Sequence, residues 1–194
     1  MLPVDLLPTL WAKAYAAAGH DPHHAYLRVV PTADLNVTLG TALGAGMDLP
    51  LCCDLRVAAQ SARFKAGHTS MAYSPDAGAS WHLPRLIGTE QAKRLLFLDE
   101  LWGADRALAT GLVGEVCADE QLLDVTGELA TRLANGPTFA FVQTKKLMRE
   151  GAQRSLPEQL QAELAAGLLC GRSEDGAEAL RASVEKRPAR FVGR

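Results

Sequence analysis

Residues 35–47, with the sequence LNVTLGTALGAGM, decide the fold of this chain. Apolar and polar side chains alternate over residues 35–39, which predicts a strand that runs into a glycine-rich turn. Pro50 fits a helix in its first turn, where its missing N–H would have no acceptor, so we expect a helix that starts near Gly46 or Met47. The stretch therefore predicts a strand, a turn and a helix, as in an α/β fold.

The composition of the 194 residues indicates one domain with a large core, because 48% of them are hydrophobic and 22% are charged. Lys and Arg number 20 and Asp and Glu number 22, a net charge of −2 that gives no broad cationic field for nucleic acid or an anionic membrane. No apolar run approaches the roughly 20 residues that span a bilayer, and the first residues lack the basic start of a signal peptide. We therefore expect a cytoplasmic protein.

The four cysteines form no C-x-x-C pair, which argues against a zinc site or a disulfide framework. We expect Cys52, Cys53, Cys117 and Cys170 to be reduced and to fill space in the core.

The coarse organisation is a single domain, with a shortened core and N-terminal segment over residues 1–130 and a helical subdomain over residues 131–194. Strands are predicted at Leu55–Ala59 and Val113–Cys117, and a loop with a brief extended piece is predicted between Ser61 and Pro75. Helices are predicted at 6–18, 77–87, 89–98, 104–111, 119–134, 137–151, 156–171 and 174–187.

The glycine turn is the first candidate for chemistry, since Gly40, Gly44 and Gly46 let backbone N–H groups approach a ligand closely. The simpler interpretation is a tight connection between strand and helix. The spacing matches neither a dinucleotide fingerprint nor a Walker A loop.

Asp76 precedes a predicted helix, and on position alone an N-cap that accepts first-turn N–H bonds is the better interpretation. His68 is a lone histidine, more often a hydrogen-bonded residue than a catalyst. His20, Asp21, His23 and His24 resemble a metal cluster, but no helix aims them at one point, so we predict no metal site.

Six segments of residues 31–194 carry a resemblance to a known family: GTALGAGM at 40–47, CDLRVAA at 53–59, SARF at 61–64, PDAG at 75–78, LPRLIG at 83–88 and EKRPARF at 185–191. In these segments the chain resembles the crotonase (enoyl-CoA hydratase/isomerase) superfamily, and most of all its isomerases of phenylacetate breakdown that act on ring-epoxidised phenylacetyl-CoA. The resemblance implies a β-β-α spiral core, trimers or hexamers, and acyl-CoA thioesters as substrates with no further cofactor.

The resemblance also implies two backbone N–H donors that stabilise the thioester oxygen as it becomes negative. Ala45 matches the second donor, and Ala18, within Ala17–Asp21, matches the first. We expect substrate contacts from Gly44, Gly46 and Trp81. Lys186 matches a lysine that reaches the CoA phosphates from a neighbouring subunit.

Asp76 matches the catalytic aspartate of the isomerases in the superfamily, and we expect it to carry the proton. The two glutamates of the hydratases correspond to Asp48 and His68, which makes simple hydration a weaker prediction. Two alternatives stay open: hydration or hydrolysis with a water held by Asp48 and His68, and a CoA-thioester-binding or structural subunit with little turnover.

Overall fold

The computed structural model describes residues 24–30, 33–38 and 40–194. The described residues form two compact units: residues 24–28 and Asp34–Glu128 belong to the first, and residues 29–30, Ala33 and Leu129–Arg194 belong to the second. The predicted boundary between residues 130 and 131 of a single domain stays a prediction. The predicted helix at 6–18 lies outside the described residues.

The strands of the described residues form two sheets. They are β1 (His24–Val30), β2 (Ala33–Thr38), β3 (Thr41–Leu43), β4 (Leu55–Ala59), β5 (Arg63–Lys65), β6 (Trp102–Gly103) and β7 (Glu115–Cys117). One sheet has the order β1-β2-β4-β7 and the other β3-β5-β6. Strand β4 pairs in parallel with β2 and β7, β3 pairs in parallel with β5, and β5 and β6 are antiparallel.

Strands β2 and β3 lie in different sheets, and a glycine makes this change of sheet possible. Between β2 and β3, Gly40 has a φ of 77°, a conformation that glycine adopts without a steric penalty. Its carbonyl accepts the N–H of Arg63 at 2.8 Å, at the start of β5. The next pair, β4 and β5, is divided between the sheets in the same way. This alternation is the predicted β-β-α spiral, and the fold class is confirmed.

The helices after Asp76 follow the predicted ones closely. The α-helices of the described residues are α1 (Ala45–Leu51), α2 (Ala79–Ile87), α3 (Thr89–Phe97), α4 (Ala104–Thr110), α5 (Leu122–Ala134), α6 (Thr138–Gly151), α7 (Leu156–Gly171) and α8 (Glu174–Glu185). Short 3₁₀ turns occupy Thr69–Met71 and Asp119–Gln121. The predicted start of α5 at 119 is therefore a 3₁₀ turn that leads into the helix.

Helix α1 begins at Ala45, one residue before the predicted start near Gly46 or Met47, but the placing of Pro50 in the first turn was wrong, because Pro50 is the sixth residue of the helix. Proline at this position removes one backbone bond, and the helix ends at Leu51. The next N–H group, that of Cys52, donates to the carbonyl of Leu49 at 3.1 Å, which closes the end of the helix with a tighter turn.

The sequence also missed three strands, β1, β3 and β6. Strand β3 lies inside the predicted glycine turn and has only three residues, of which Ala42 is buried between two exposed ones. Strand β6 has two residues. Elements this short carry too few side chains for an alternation pattern to be recognised.

The core of the first unit combines small residues on the strands with large residues from the helices. Ala42, Ala58 and Ala66 are completely buried, so helices can approach the sheets closely. Trp102 is also completely buried, and its indole N–H donates to Glu100 at 3.1 Å. Burial of this indole N–H with an acceptor avoids the cost of an unsatisfied polar group.

The cysteine prediction needs a correction. Cys52 is exposed, and Cys53, Cys117 and Cys170 are half-buried, so none of them fills the core, and none of the four forms a disulfide. Cys52 is exposed because it follows the last residue of α1 instead of lying on its buried face. In the described part of the chain, no helix has both the length and the apolar character needed to cross a bilayer.

The second unit contains α6, α7 and α8. Helix α7 begins with a capping box in which Ser155 and Glu158 satisfy each other's backbone groups. At the start of α8, buried Asp175 accepts the N–H groups of Val192 and Gly193 at 2.7 and 3.0 Å, which fixes the last residues of the chain. The predicted apolar stripe on α7 is more than half exposed in this chain; it consists of Leu160, Leu164 and Leu168.

Candidate active site

Three acid–base side chains meet at one point of the first unit. Nε2 of His68 lies 3.3 Å from Oδ2 of Asp48 and 3.4 Å from Oδ1 of Asp76. Asp48 comes from helix α1, His68 from the loop after β5, and Asp76 from the loop before α2. The imidazole thus stands between two carboxylates.

The two carboxylates differ sharply in their surroundings. The side chain of Asp48 is completely buried, whereas that of Asp76 is 77% exposed. Burial raises the pKa of Asp48 to about 6; the charge of His68 acts to lower it and that of Asp76 to raise it further. A carboxyl group with a pKa near 6 can both hold and release a proton close to neutral pH.

The trio has unused hydrogen-bonding capacity. Three buried atoms make no hydrogen bond among the described residues. They are the two carboxylate oxygens of Asp48 and the Nδ1 atom of His68. The 3.3 Å contact between Asp48 and His68 therefore has the distance of an ion pair without hydrogen-bond alignment. One atom from each of the three side chains lies within 4.8 Å of the others, a spacing suited to a shared proton and also to a small cation.

A cavity of about 550 Å³ opens beside the trio. His68 and Asp76 reach its wall, as does Gly44 at the start of α1. Its other lining residues are the apolar Leu43, Ala66, Met71 and Tyr73 and the polar Lys65, Gly67, Ser70 and Ser74. An apolar wall with a few convergent polar groups is typical of a small-molecule site.

The capping role of Asp76 is wrong. The N-cap of α2 is Gly78, and the side chain of Asp76 makes no capping bond. Positive φ values at Ala77 (45°) and Gly78 (93°) turn the chain before the helix begins, which carries the Asp76 carboxylate towards His68 instead. The correction favours a chemical role for this residue.

The glycine turn places helix α1 beside the cavity. Gly44 has a φ of 55° and precedes Ala45, the first residue of the helix. The N–H of Gly44 donates to the carbonyl of Lys65 at 3.1 Å, so it belongs to the sheet. The first N–H groups of a helix have no acceptor within the helix. In α1 the first two such groups belong to Ala45 and Gly46. Gly46 is buried and does not line the cavity.

Other predicted site residues lie elsewhere. Trp81 does not line the cavity; it is exposed and carries the guanidinium of Arg85 over its ring at 3.4 Å. Lys186 is exposed at the end of α8, in the second unit. Ala18 lies outside the described residues, as do three of the four residues of the suggested metal cluster, and the fourth, His24, begins β1.

Sequence reasoning missed one buried carboxylate next to the site. Asp99 accepts the N–H of Gly67 at 2.6 Å and lies 3.1 Å from Nζ of Lys65, and both of these partners line the cavity. Asp99 follows α3 in a left-handed conformation, with a φ of 50°. The signal available in the sequence was an Asp next to a helix end, where such residues tolerate this conformation.

Comparisons with known proteins show which family the chain resembles. The family model for enoyl-CoA hydratase/isomerase matches residues 14–194. A crotonyl-CoA hydratase of Syntrophomonas wolfei is 35% identical over 155 residues, which cover 80% of this chain and 60% of the relative. A 1,2-epoxyphenylacetyl-CoA isomerase of Escherichia coli is 33% identical over 175 residues, which cover 90% of this chain and 67% of the relative.

Solved structures show the same fold. The crystal structure of an enoyl-CoA hydratase from Polaromonas sp. JS666 superimposes with a TM-score of 0.80 at 30% identity, covering 85% of this chain and 64% of that one. The chain spans about three fifths to two thirds of the length of the curated relatives it matches.

Proposed function

Because the chain belongs to the enoyl-CoA hydratase/isomerase family, we propose that it isomerises an acyl-CoA by moving a proton beside the thioester. The observation that carries this proposal is the exposed carboxylate of Asp76, which lines the cavity 3.4 Å from His68. The substrate is either an unsaturated acyl-CoA or a ring-epoxidised aromatic acyl-CoA. A substrate of the second kind would place the protein in phenylacetate breakdown. The isomerase relative from E. coli is named for the second kind of substrate.

The chemistry needs only an acid–base group and a place for negative charge. The carboxylate of Asp76 accepts a proton from the carbon next to the thioester carbonyl, and the electrons of that C–H bond form the enolate. The proton on this exposed carboxyl group exchanges with solvent, and the group then delivers a proton to another carbon, so the product has the same elemental composition as the substrate. His68, 3.4 Å away, keeps the carboxylate in place. Coenzyme A enters as part of the substrate and no further cofactor is required.

Backbone N–H groups stabilise the enolate oxygen in this proposal. Ala45, at the first position of α1 and next to cavity-lining Gly44, supplies one donor, and Ala18 supplies the other. A donor aimed at a developing oxyanion lowers the barrier by about 3 kcal/mol.

Hydration is the second candidate, favoured by the contact between Asp48 and His68. The raised pKa of Asp48, about 6, suits a group that takes a proton from water near neutral pH. Hydratases are also named among the relatives. A water between these two side chains would add to the double bond of an enoyl-CoA.

The proposed assembly is a cytoplasmic homotrimer or hexamer in which Lys186 of one subunit contacts the CoA phosphates bound by another. Exposed Leu160, Leu164 and Leu168 support an apolar contact between subunits, since a stripe at helical spacing on α7 otherwise faces water.

One experiment distinguishes these functions: incubation with unsaturated and aromatic acyl-CoAs in D₂O, followed by mass spectrometry of the products. Isomerisation predicts products that differ from the substrate only by deuterium in place of hydrogen, whereas hydration predicts a mass gain of one heavy water. Binding of acyl-CoA without exchange or turnover would instead favour a binding subunit.

A further inference from the structure

We infer that Asp99 is a positioning residue that holds the His68 imidazole between the two carboxylates. Its importance for catalysis rests on the proposed function, but its effect on the position of His68 does not.

The first reason is that His68 lacks a direct support for its ring. Among the described residues, no group completes a hydrogen bond with Nδ1, and Nε2 faces only the carboxylates of Asp48 and Asp76. Imidazoles at functional sites are usually oriented by a hydrogen bond to the second ring nitrogen. The position of this ring therefore depends on the backbone that carries it.

Asp99 fixes that backbone on the residue immediately before His68. Its Oδ1 accepts the Gly67 N–H at 2.6 Å, while Oδ2 lies 3.1 Å from Nζ of Lys65. The side chain of Asp99 is only 10% exposed. Although burial acts to raise the pKa of Asp99, the bonds from Gly67, Ser70 and Lys65 together hold it below its usual value, so the acceptor stays ionised.

Both partners of the main bond have left-handed backbones. Gly67 has a φ of 75°, and a Cβ at this position would lie 2.9 Å from Cδ1 of Leu43. Asp99 has a φ of 50°, a conformation that costs free energy for most residues other than glycine. Unusual backbone on both sides of one hydrogen bond indicates a geometry that the surrounding structure enforces.

A second contact from the same segment holds the other side of His68. Oγ of Thr69 donates to the carbonyl of Leu96, in helix α3, at 2.6 Å. His68 is therefore flanked by two residues that are tied to residues 96–99. The hydrogen bond from Gly67 to Asp99 has a charged acceptor. Charge-assisted hydrogen bonds are about twice as strong as neutral ones.

Two variants test this inference in a matched way. Asp99→Gly removes the acceptor but accommodates the positive φ, so the variant should fold. Asp99→Asn keeps a side-chain oxygen that can accept from Gly67 and also tolerates the positive φ, while it loses the charge. The imidazole ¹⁵N and ¹H resonances of His68, assigned with His68→Gln, report ring position and protonation without any substrate.

We expect Asp99→Gly to shift the His68 resonances and to lower kcat about 10- to 100-fold with little change in KM, because misplacement by about 1 Å can cost a factor of 100. Asp99→Asn should restore most of both properties. Unchanged His68 resonances in a folded Asp99→Gly variant, or equal damage in both variants, would overturn the inference. If the wild-type protein turns over no acyl-CoA, the proposed function fails and the resonances alone decide.

Discussion

Completely buried Asp48 and the imidazole of His68 approach to 3.3 Å, although 20 positions separate them in the chain. Helix α1 and the loop after β5 bring them together, because β3 and β5 are neighbouring parallel strands whose following segments leave the same edge of the sheet. The contact places the His68 imidazole against a buried carboxyl group whose pKa is raised to about 6 by burial. Proton transfer near neutral pH is the consequence that the predictions below address.

Asp76→Asn should abolish deuterium exchange into the substrate and leave acyl-CoA binding largely intact. The amide keeps the shape of the side chain but cannot accept the proton, and acid–base groups contribute about 10²–10⁴-fold. Since Asp76 is 77% exposed and caps no helix, the free energy of unfolding should change by less than about 0.5 kcal/mol. Asp105→Asn, at an exposed position, is the control. Near-normal exchange in Asp76→Asn would exclude Asp76 as the base.

Ala45→Pro should lower kcat/KM, because it deletes a proposed oxyanion donor. The expected loss of transition-state stabilisation is about 3 kcal/mol. Ala45→Ser keeps the N–H and should remain active. Ala45 is the first residue of α1, the helical position that best accepts proline, so circular dichroism should show an intact fold. Equal losses in the two variants would argue against a backbone role.

Asp48→Asn should change the pH dependence of stability. The raised pKa means that the folded protein retains the Asp48 proton when the unfolded chain has released it. The stabilisation of the folded state by the protonated Asp48 is therefore complete below about pH 4, and it is lost as the pH rises through 6. The asparagine variant escapes this loss, so its stability relative to wild type should rise between pH 4 and pH 7, by at most about 3 kcal/mol. Urea unfolding at both pH values measures the difference; a constant difference would contradict the raised pKa.

Lys186→Gln should weaken CoA binding at low salt and have little effect at high salt, because a contact between an exposed ammonium and a phosphate is screened by ions. Calorimetric titration at two salt concentrations measures the affinity, and Lys93→Gln, at another exposed position, is the control. Sedimentation should show a trimer or hexamer. A monomer that binds CoA with full affinity would refute the shared site.

The sequence predicted the helices after Asp76 well, since each has a clear apolar period and a glycine or proline near its ends. It also named Asp48, His68 and Asp76, but family resemblance rather than periodicity brought these residues into one hypothesis. His68 lies 20 positions after Asp48 and 8 positions before Asp76 in the chain. The contacts between these residues depend on sheet pairing, which no local pattern encodes.

The errors have local physical causes. The capping role for Asp76 failed because Ala77 and Gly78 adopt positive φ values and move the helix start downstream. Asp99 was missed because its role depends on a hydrogen bond to Gly67, 32 positions away. A short-range pattern shows where helices begin, but it does not show which distant amide faces a given carboxylate.

The unsupported Nδ1 atom of His68 has a consequence for where the imidazole carries its proton. Nε2 faces the carboxylates of Asp48 and Asp76, whereas among the described residues Nδ1 completes no hydrogen bond. A proton on Nε2 therefore faces two acceptors and a proton on Nδ1 faces none, so the tautomer with the proton on Nε2 is favoured. A second proton, on Nδ1, would be a buried donor without an acceptor, so the neutral ring is a donor towards the two carboxylates and a poor store for another proton.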